Sequence, residues 1–359
     1  MRKKTCKKLW AMCISVSLCI ATISGCGAEK TATNDEVQTM EKEQSIAQEQ
    51  SGTEEQVVEE TETETETETE AKLRIKSAKL ELSQDIAVIY TAIIPEGYTD
   101  FYMIFEFCGN EYTVYGTQNP DKTYSFKFDR VLPQCMGENI KSTLYATFEG
   151  KEVSVCIEEY NVRTYCVKAL AKNTDERLRS LLSDLLVYGA AAQKYKDYST
   201  DNLVTDGLEL TPREFVTLDA TVSKKTLTGV RDENSAWKSA GLVYDNAMAM
   251  YIRFTANDVD DLKVKVTIEG REEIYSVSEL ETDSNGYYEL RISKIYATEF
   301  DSTVTAIFLR DNEQVGQTMT YSVNSYIYSK QNSSDAALAE LLKATYNYGV
   351  SAYEYSIYN

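Results

Sequence analysis

The sequence predicts a mainly β protein made of two repeated antiparallel β-sandwich-like units, each followed by a C-terminal amphipathic α-helix. Three observations predict it. Short runs rich in Val, Ile, Tyr, Phe and Thr recur with partial two-residue alternation, divided by turn residues. Two longer stretches carry apolar residues at three- and four-residue steps, the spacing of one helix face. Many residues of the two halves match at a separation of 160 positions, the mark of an internal repeat.

In chain order, residues 1–25 read as an export signal. Arg2, Lys3, Lys4, Lys7 and Lys8 are basic, residues 9–23 are mostly apolar, and Ile23-Ser24-Gly25 precede Cys26. The apolar stretch is short and mixed for a spanning helix. Ile23-Ser24-Gly25-Cys26 resembles the bacterial lipobox. That resemblance implies cleavage before Cys26, diacylglycerol on its thiol and an acyl-anchored lipoprotein at the outer face of a cell membrane. Two or three acyl chains hold a protein stably where one is marginal. The competing reading is an ordinary secretory signal with a chance cysteine, or an uncleaved anchor.

Residues 26–73 read as an acidic, disordered tether. Thr61–Glu70 alternates Thr and Glu, so both faces of any strand would be polar and like charges repel. The whole chain of 359 residues has a net charge of −20, of which 27–71 carries −13. Residues 72–359 are left with −12, an ordinary surface for a body of that size.

The first unit, 74–200, offers strands at Asp85–Ile93, Asp100–Phe107, Glu111–Tyr115, Thr123–Asp129, Lys141–Phe148 and Lys151–Glu159. The turns between them are Pro95-Glu96-Gly97, Cys108-Gly109-Asn110, Asn119-Pro120-Asp121 and Glu149-Gly150-Lys151. The second unit, 208–359, offers Ala247–Phe254, Leu262–Ile268, Glu273–Val277, Tyr287–Ile292, Ser302–Leu309 and Gly316–Val323, with Asp283-Ser284-Asn285-Gly286 as a hairpin turn. The closing helices are Thr174–Tyr198 and Asp335–Tyr355. Gly189 with Ala192, and Gly349 with Ala352, put small residues on the apolar face of each. Glycine inside a helix costs about 1 kcal/mol against alanine. Its recurrence predicts close packing of the helix backbone on a sheet or a second helix, and a ligand cleft over the small residues is the lesser alternative.

The 160-position offset pairs Phe128, Leu132, Met136, Ile140 and Leu144 with Tyr288, Ile292, Tyr296, Phe300 and Val304, and Tyr188-Gly189 with Tyr348-Gly349. Between these blocks, Tyr165-Cys166-Val167 aligns with Tyr321-Ser322-Val323 at an offset of 156, which demands two compensating loop differences. Leu132-Pro133-Gln134-Cys135-Met136, Tyr165-Cys166-Val167 and Tyr188-Gly189-Ala190-Ala191-Ala192-Gln193 together resemble a C-terminal module of large clostridial surface proteins. The second copy matches it less well. The resemblance implies a cell-surface accessory role and no particular reaction.

Chemistry is sparse. Histidine is absent, which removes His-based triads, His-ligated zinc and imidazole proton shuttles. The acidic balance argues against nucleic acid as a partner. The sequence calls for no cofactor: glycines such as Gly137 and Gly150 are isolated and form no phosphate-cradling loop. Cys108, Cys135, Cys156 and Cys166 lie in the first unit alone, at spacings unlike those of a metal site. Outside the cell they are compatible with two disulfides in any of three pairings, or with free buried thiols. Glu158, Glu159, Asp258, Asp260 and Asp261 read as solvated acids, since nothing in the sequence sets a pair of them across a cleft. The aromatic content is more suggestive, because ring faces stack on sugars and dominate interfaces. Trp237, in the polar stretch 232–239, reads as exposed and is the single contact residue the sequence favours. The function expected is a surface-anchored, non-catalytic binding or adhesion lipoprotein whose partner is a glycan, a cell-wall component or another extracellular protein. The alternatives are an extracellular polymer hydrolase and a structural spacer.

Overall fold

The computed structural model describes residues 72–82, 86–244 and 248–358. Cys26, the signal 1–25 and nearly all of the 26–73 segment lie outside the described residues. The first repeat contains β1 (Arg74–Glu81), β2 (Ala87–Ile93), β3 (Tyr98–Phe107), β4 (Asn110–Tyr115), β5 (Thr117–Gln118), β6 (Tyr124–Phe128), β7 (Ile140–Phe148) and β8 (Lys151–Tyr160), then α1 (Val162–Lys172) and α2 (Glu176–Lys196). The second contains β9 (Thr226–Thr228), β10 (Ser235–Tyr244), β11 (Met248–Ala256), β12 (Lys263–Ile268), β13 (Arg271–Ser276), β14 (Tyr288–Ile292), β15 (Val304–Arg310) and β16 (Glu313–Tyr321), then α3 (Val323–Lys330) and α4 (Ala336–Tyr358).

Each repeat is two antiparallel sheets. The first has β1-β2-β6-β5 and β4-β3-β7-β8; the second has β10-β11-β14 and β13-β12-β15-β16-β9. Alternation explains the layering. Met103, Phe105 and Phe107 of β3 are buried, while Tyr102, Ile104 and Glu106 between them are not. Across the first core Phe105 meets Tyr90 at 5.2 Å and Phe128 at 4.8 Å between ring centroids. Each such Phe ring, fully buried, contributes about 1.5–3 kcal/mol. The hairpin turns are equivalent in the two copies. Cys108-Gly109 and Glu269-Gly270 turn with positive φ at both residues, as do Glu149-Gly150 and Asp311-Asn312. That backbone matches the right-handed twist of the flanking strands.

The observed equivalence of the repeats differs from the sequence alignment. Ile140 pairs with Tyr160 where β7 meets β8, and Val304 pairs with Tyr321 where β15 meets β16. The strands β6 and β7 therefore correspond to β14 and β15 at an offset of 164, not 160. Apolar residues in the first copy recur every four positions from 128 to 144, so a shift of four leaves the pattern nearly unchanged. The 156 offset is also corrected. The partner of Tyr321-Ser322-Val323 is Tyr160-Asn161-Val162, not Tyr165-Cys166-Val167, which lies inside α1. In both copies the last strand residue is Tyr and the next residue caps the following helix. The Asn161 side chain accepts from the Thr164 N–H at 2.7 Å, and Ser322 Oγ accepts from the Ser325 N–H at 3.0 Å. The helices α2 and α4 do keep the 160 offset, so Tyr188 and Tyr348 are equivalents.

From Leu73 onward the described chain belongs to one compact unit, so the two repeats are packed together. The join is α2 against α4. Lys194 near the end of α2 bonds Glu340 near the start of α4 at 2.6 Å, while Arg177 at the start of α2 lies over the Tyr358 ring at the end of α4. The helices are thus antiparallel. Tyr188 and Tyr348 stack at mid-length, 5.5 Å between centroids with planes 9° apart. The connecting segment is tied to both repeats. Arg163 donates to the carbonyls of Val204 and Asp206, and the Gln331 amide makes two bonds of 2.8 Å to the backbone of Leu218.

Gly189 and Gly349 face their own repeats. Each lies against a short 3-10 turn, Pro133–Cys135 for α2 and Ala297–Glu299 for α4. A Cβ at Gly189 would meet Met136 Sδ at 3.0 Å and the Pro133 carbonyl at 3.1 Å; one at Gly349 would meet the Phe300 ring at 2.5 Å. Ala192 and Ala352 are buried one turn further along the same helices.

Gly349→Ala is expected to destabilise the protein by about 1–3 kcal/mol through overpacking against Phe300, despite alanine's better helix propensity. Urea unfolding of the variant beside wild type measures it, and a neutral or stabilising result contradicts the close approach. The bond between Cys108 and Cys135 closes a loop of 27 residues. Replacing both by Ala is expected to remove about 3–4 kcal/mol in the chain-entropy account, read from the same unfolding curves.

Candidate functional site

Trp237 is not the exposed contact the sequence suggested. It is buried, stacked on Phe308 at 3.9 Å, and its ring N–H donates to the Gln317 carbonyl at 2.7 Å. Strand alternation is the reason. In β10 the flanking polar residues Lys238 and Ser239 are exposed at a bulge, while Ser235 and Trp237 turn into the sandwich and bridge to β16. Polar neighbours therefore say little about a strand residue's own face.

Of the four cysteines, Cys108 and Cys135 form a disulfide between the β3–β4 turn and the 3-10 turn under α2. Cys156 is a free thiol on an exposed part of β8, and Cys166 is a free thiol buried in α1, where burial pushes its pKa up to about 12. Such a thiol is a packing group and not a nucleophile at neutral pH.

The acidic residues do not assemble a reaction centre in the described structure. Asp258 and Asp260 are gathered by Arg310, which bonds the Asp258 carboxylate at 3.1 Å and the carbonyls of both. Glu159 is exposed. Among the described residues no group of three or more Cys, Asp or Glu is placed to hold a metal ion. Two carboxyls are held above their ordinary range by burial, Asp184 and Glu299. Both are engaged in packing. Asp184, fully buried in α2, accepts from the Arg213 N–H at 2.9 Å and from the Ser351 hydroxyl of α4. Glu299 accepts from Arg271 at 2.6 Å and from the Tyr296 N–H at 3.1 Å. An apolar pocket between the repeats, about 310 Å³ including its open mouth, is lined by Leu80, Leu82, Tyr165, Leu178, Leu182 and Tyr355 among others. Its lining is core-like and offers only two phenols as polar groups.

The feature that does stand out is a row of tyrosines on the outward face of the β4-β3-β7-β8 sheet. Tyr102 of β3 pairs in register with Tyr115 of β4 and with Tyr145 of β7, and Tyr145 pairs with Ser154 of β8. The three rings stand in one line across the strands. Tyr102 and Tyr145 are 5.4 Å apart with planes 15° from parallel, and Tyr102 and Tyr115 are 6.5 Å apart. Tyr115 is 75% exposed and the other two are half-buried. The rung on one side is Thr113, Ile104, Thr143 and Cys156; on the other, Thr147 faces Glu152. Partial burial, with the Glu152 charge added, holds the Tyr102 phenol above its ordinary pKa.

The fold does not require this row. At the equivalent rung of the second repeat, Lys263 pairs with Ser276 and Leu309, and Leu309 with Gln314. The same architecture stands there without aromatic residues on that face. Sequence reasoning saw the tyrosines but could not gather them, because they come from three strands and meet only through register. The alternation within β3 was the available signal, and it marks Tyr102 as outward once Phe105 is taken as core.

No family model matches the chain, and no curated protein matches it. Solved structures similar to it include a chimeric titin Z1Z2-Z1Z2 tandem carrying a GRGDS peptide from fibronectin. It is 9% identical, with 66% of this chain and 89% of that one covered at a TM-score of 0.15. Another is a structure concerning host cell surface retention of a 1.5-MDa bacterial ice-binding adhesin, 10% identical, covering 67% of this chain and 57% of that one at 0.16. The titin domains Z1Z2 in complex with telethonin match at 10% identity, 66% and 86% coverage and 0.15. At these values the likenesses say nothing of ligand or partner.

Asp184 supplies a pH prediction. Its carboxyl is raised in the folded chain, so folding favours the protonated form. Its contribution is complete below the ordinary carboxylate pKa and is lost as pH rises through the raised folded value. The stability of Asp184→Asn relative to wild type is therefore expected to increase from acid toward neutral pH. Urea titrations across that window check it, and a difference independent of pH refutes the assigned shift.

Proposed function

We propose that this chain is a surface-anchored, non-catalytic binding lipoprotein, held by acyl chains on Cys26 at the outer face of a cell membrane, and that its repeats are of the clostridial surface module whose marks they carry. The tyrosine row is the observation that carries the binding part of this reading. Three aromatic rings in one row on an outward sheet face, Tyr115 exposed and Tyr102 and Tyr145 half-buried, in one repeat and not in the other, are not required by the packing of this fold. Aromatic groups so placed supply large contact area at small entropic cost, which is why they concentrate at recognition surfaces. The anchoring part is supported by the basic, apolar and Ile23-Ser24-Gly25-Cys26 order. The acidic 26–73 segment would stand the binding body off the membrane. Among the described residues no carboxylate pair lining a cleft favours the hydrolase alternative.

The test uses the full chain in a Gram-positive host fed labelled palmitate. Wild type is expected in the membrane fraction with label on the mature N-terminus, and Cys26→Ala is expected without label. The detergent-extracted full chain is then mixed with purified cell walls, where Tyr102→Ala and Tyr145→Ala are expected to abolish sedimentation. Wild type without label, or label retained by Cys26→Ala, overturns the anchor, and wall binding unchanged in the tyrosine variants overturns the site.

A further inference from the structure

We infer that the tyrosine row takes a neutral oligosaccharide chain, laid across β4, β3, β7 and β8. This rests on the row being the binding site, and goes further by assigning the chemical class of its ligand. Three properties of the face converge on it. The first is shape. Tyr115, Tyr102 and Tyr145 follow one rung of the sheet with centroid spacings of 6.5 and 5.4 Å, so a single sugar ring cannot engage all three. A chain of linked rings can.

The second is polarity. Sugars present apolar C–H faces and a rim of hydroxyls. Tyr115 offers an exposed ring and Tyr102 with Tyr145 the outward part of a stacked pair, and the positions beside them carry matching hydrogen-bonding groups: Thr113 on one side, Thr147 on the other, and Ser154 at the end of the row. Hydroxyls donate and accept, as sugar hydroxyls do. Ile104, between Thr113 and Thr143, adds apolar surface under the ligand.

The third is charge. Glu152 stands beside the row, and the next rung beyond Thr113 and Thr143 holds Glu111, Glu106 and Lys141. Lys141 is held by Glu106 at 2.7 Å, so it is engaged within the face. The face is acidic overall, and an anionic wall polymer would meet like charge and desolvate carboxylates without compensation. A carboxylate beside an aromatic ring is instead a strong acceptor for neutral hydroxyl donors. A cationic peptide would also tolerate the charge. It would need several free carboxylates against the rings, however, and among the described side chains Glu152 is the one carboxylate that acts on Tyr102.

The test runs the folded full chain through native gels containing hydroxyethylcellulose, galactomannan, neutral xylan or polygalacturonate, and titrates it calorimetrically with a deca-lysine peptide. Retardation is expected with at least one of the three neutral glycans and not with polygalacturonate. Tyr102→Ala and Tyr145→Ala are each expected to weaken it at least tenfold, about the size expected at the centre of a contact. Tyr145→Phe keeps the ring and is expected to retain most binding, and Glu152→Ala to weaken it by about three- to tenfold through loss of the charged acceptor. Thermal melts matched to wild type show that each variant is folded. Binding to polygalacturonate or deca-lysine alone, if lost with Tyr102, overturns the ligand class and leaves the site standing. Neutral-glycan binding untouched by both tyrosine variants overturns the site itself. No binding to any of the three neutral glycans overturns the proposal.

Discussion

The packing of α2 on α4 is the constraint on which the rest of the structure depends. Each helix closes its own sandwich through a 3-10 turn, and each also forms half of the join to the other repeat. A residue on either helix therefore serves two interfaces at once. Tyr188 and Tyr348 make this plain. They are equivalents, they stack on each other, and both are buried by elements of both repeats. Burial, with Tyr348 beside it, drives the Tyr188 phenol far above its ordinary pKa, so that ring is uncharged at any physiological pH. Around this apolar centre the join is polar and asymmetric. Asp184 and Ser351 meet in one direction, whereas the positions equivalent to them by the 160 offset are Ala344 and Ala191. The repeats share a fold, and their contact has diverged from strict symmetry.

That asymmetry has an energetic logic. A buried carboxylate is unfavourable unless hydrogen-bonded, and Asp184 is given two donors, one from α4 and one from the backbone of the connecting segment. The segment is fixed further by Asn347, which donates to the Arg213 carbonyl at 2.6 Å, and by the ion pair of Arg213 with Glu354. The connection between repeats thus acts as a clamp across α2 and α4. The two repeats are thereby held in one compact unit, and among the described residues no helix packs on the outer face of the β4-β3-β7-β8 sheet.

Much of the fold was legible in the sequence because most strands carry their burial in their alternation. Each of the twelve expected strands overlaps an observed one, and both long helices lie where apolar steps placed them. Of the elements not foreseen, which include β5, β9 and β10, three have identifiable reasons. The strand β1, Arg74–Glu81, mixes Lys and Arg among short apolar residues at the end of an acidic stretch, so its pattern is masked. The helices α1 and α3 are short and weakly amphipathic, and their caps at Asn161 and Ser322 become readable only when the repeats are aligned in their true register. The alignment itself slipped by four, because a four-residue apolar rhythm is nearly blind to a shift of its own length.

The candidate site was less legible. By itself the sequence determined the class of fold, the duplication, the missing histidine chemistry and the lipobox-like order before Cys26. These depend on composition, local periodicity or short contiguous motifs, which a chain carries whatever its final shape. Only the tertiary structure decided that Trp237 is core and that Tyr102, Tyr115 and Tyr145 form a line. It alone decided which two of four cysteines pair and that Asp184 is a buried tie. Each of those outcomes is set by strand register and by which elements meet across the core, between residues separated by tens of positions. No local pattern encodes a distance of that kind.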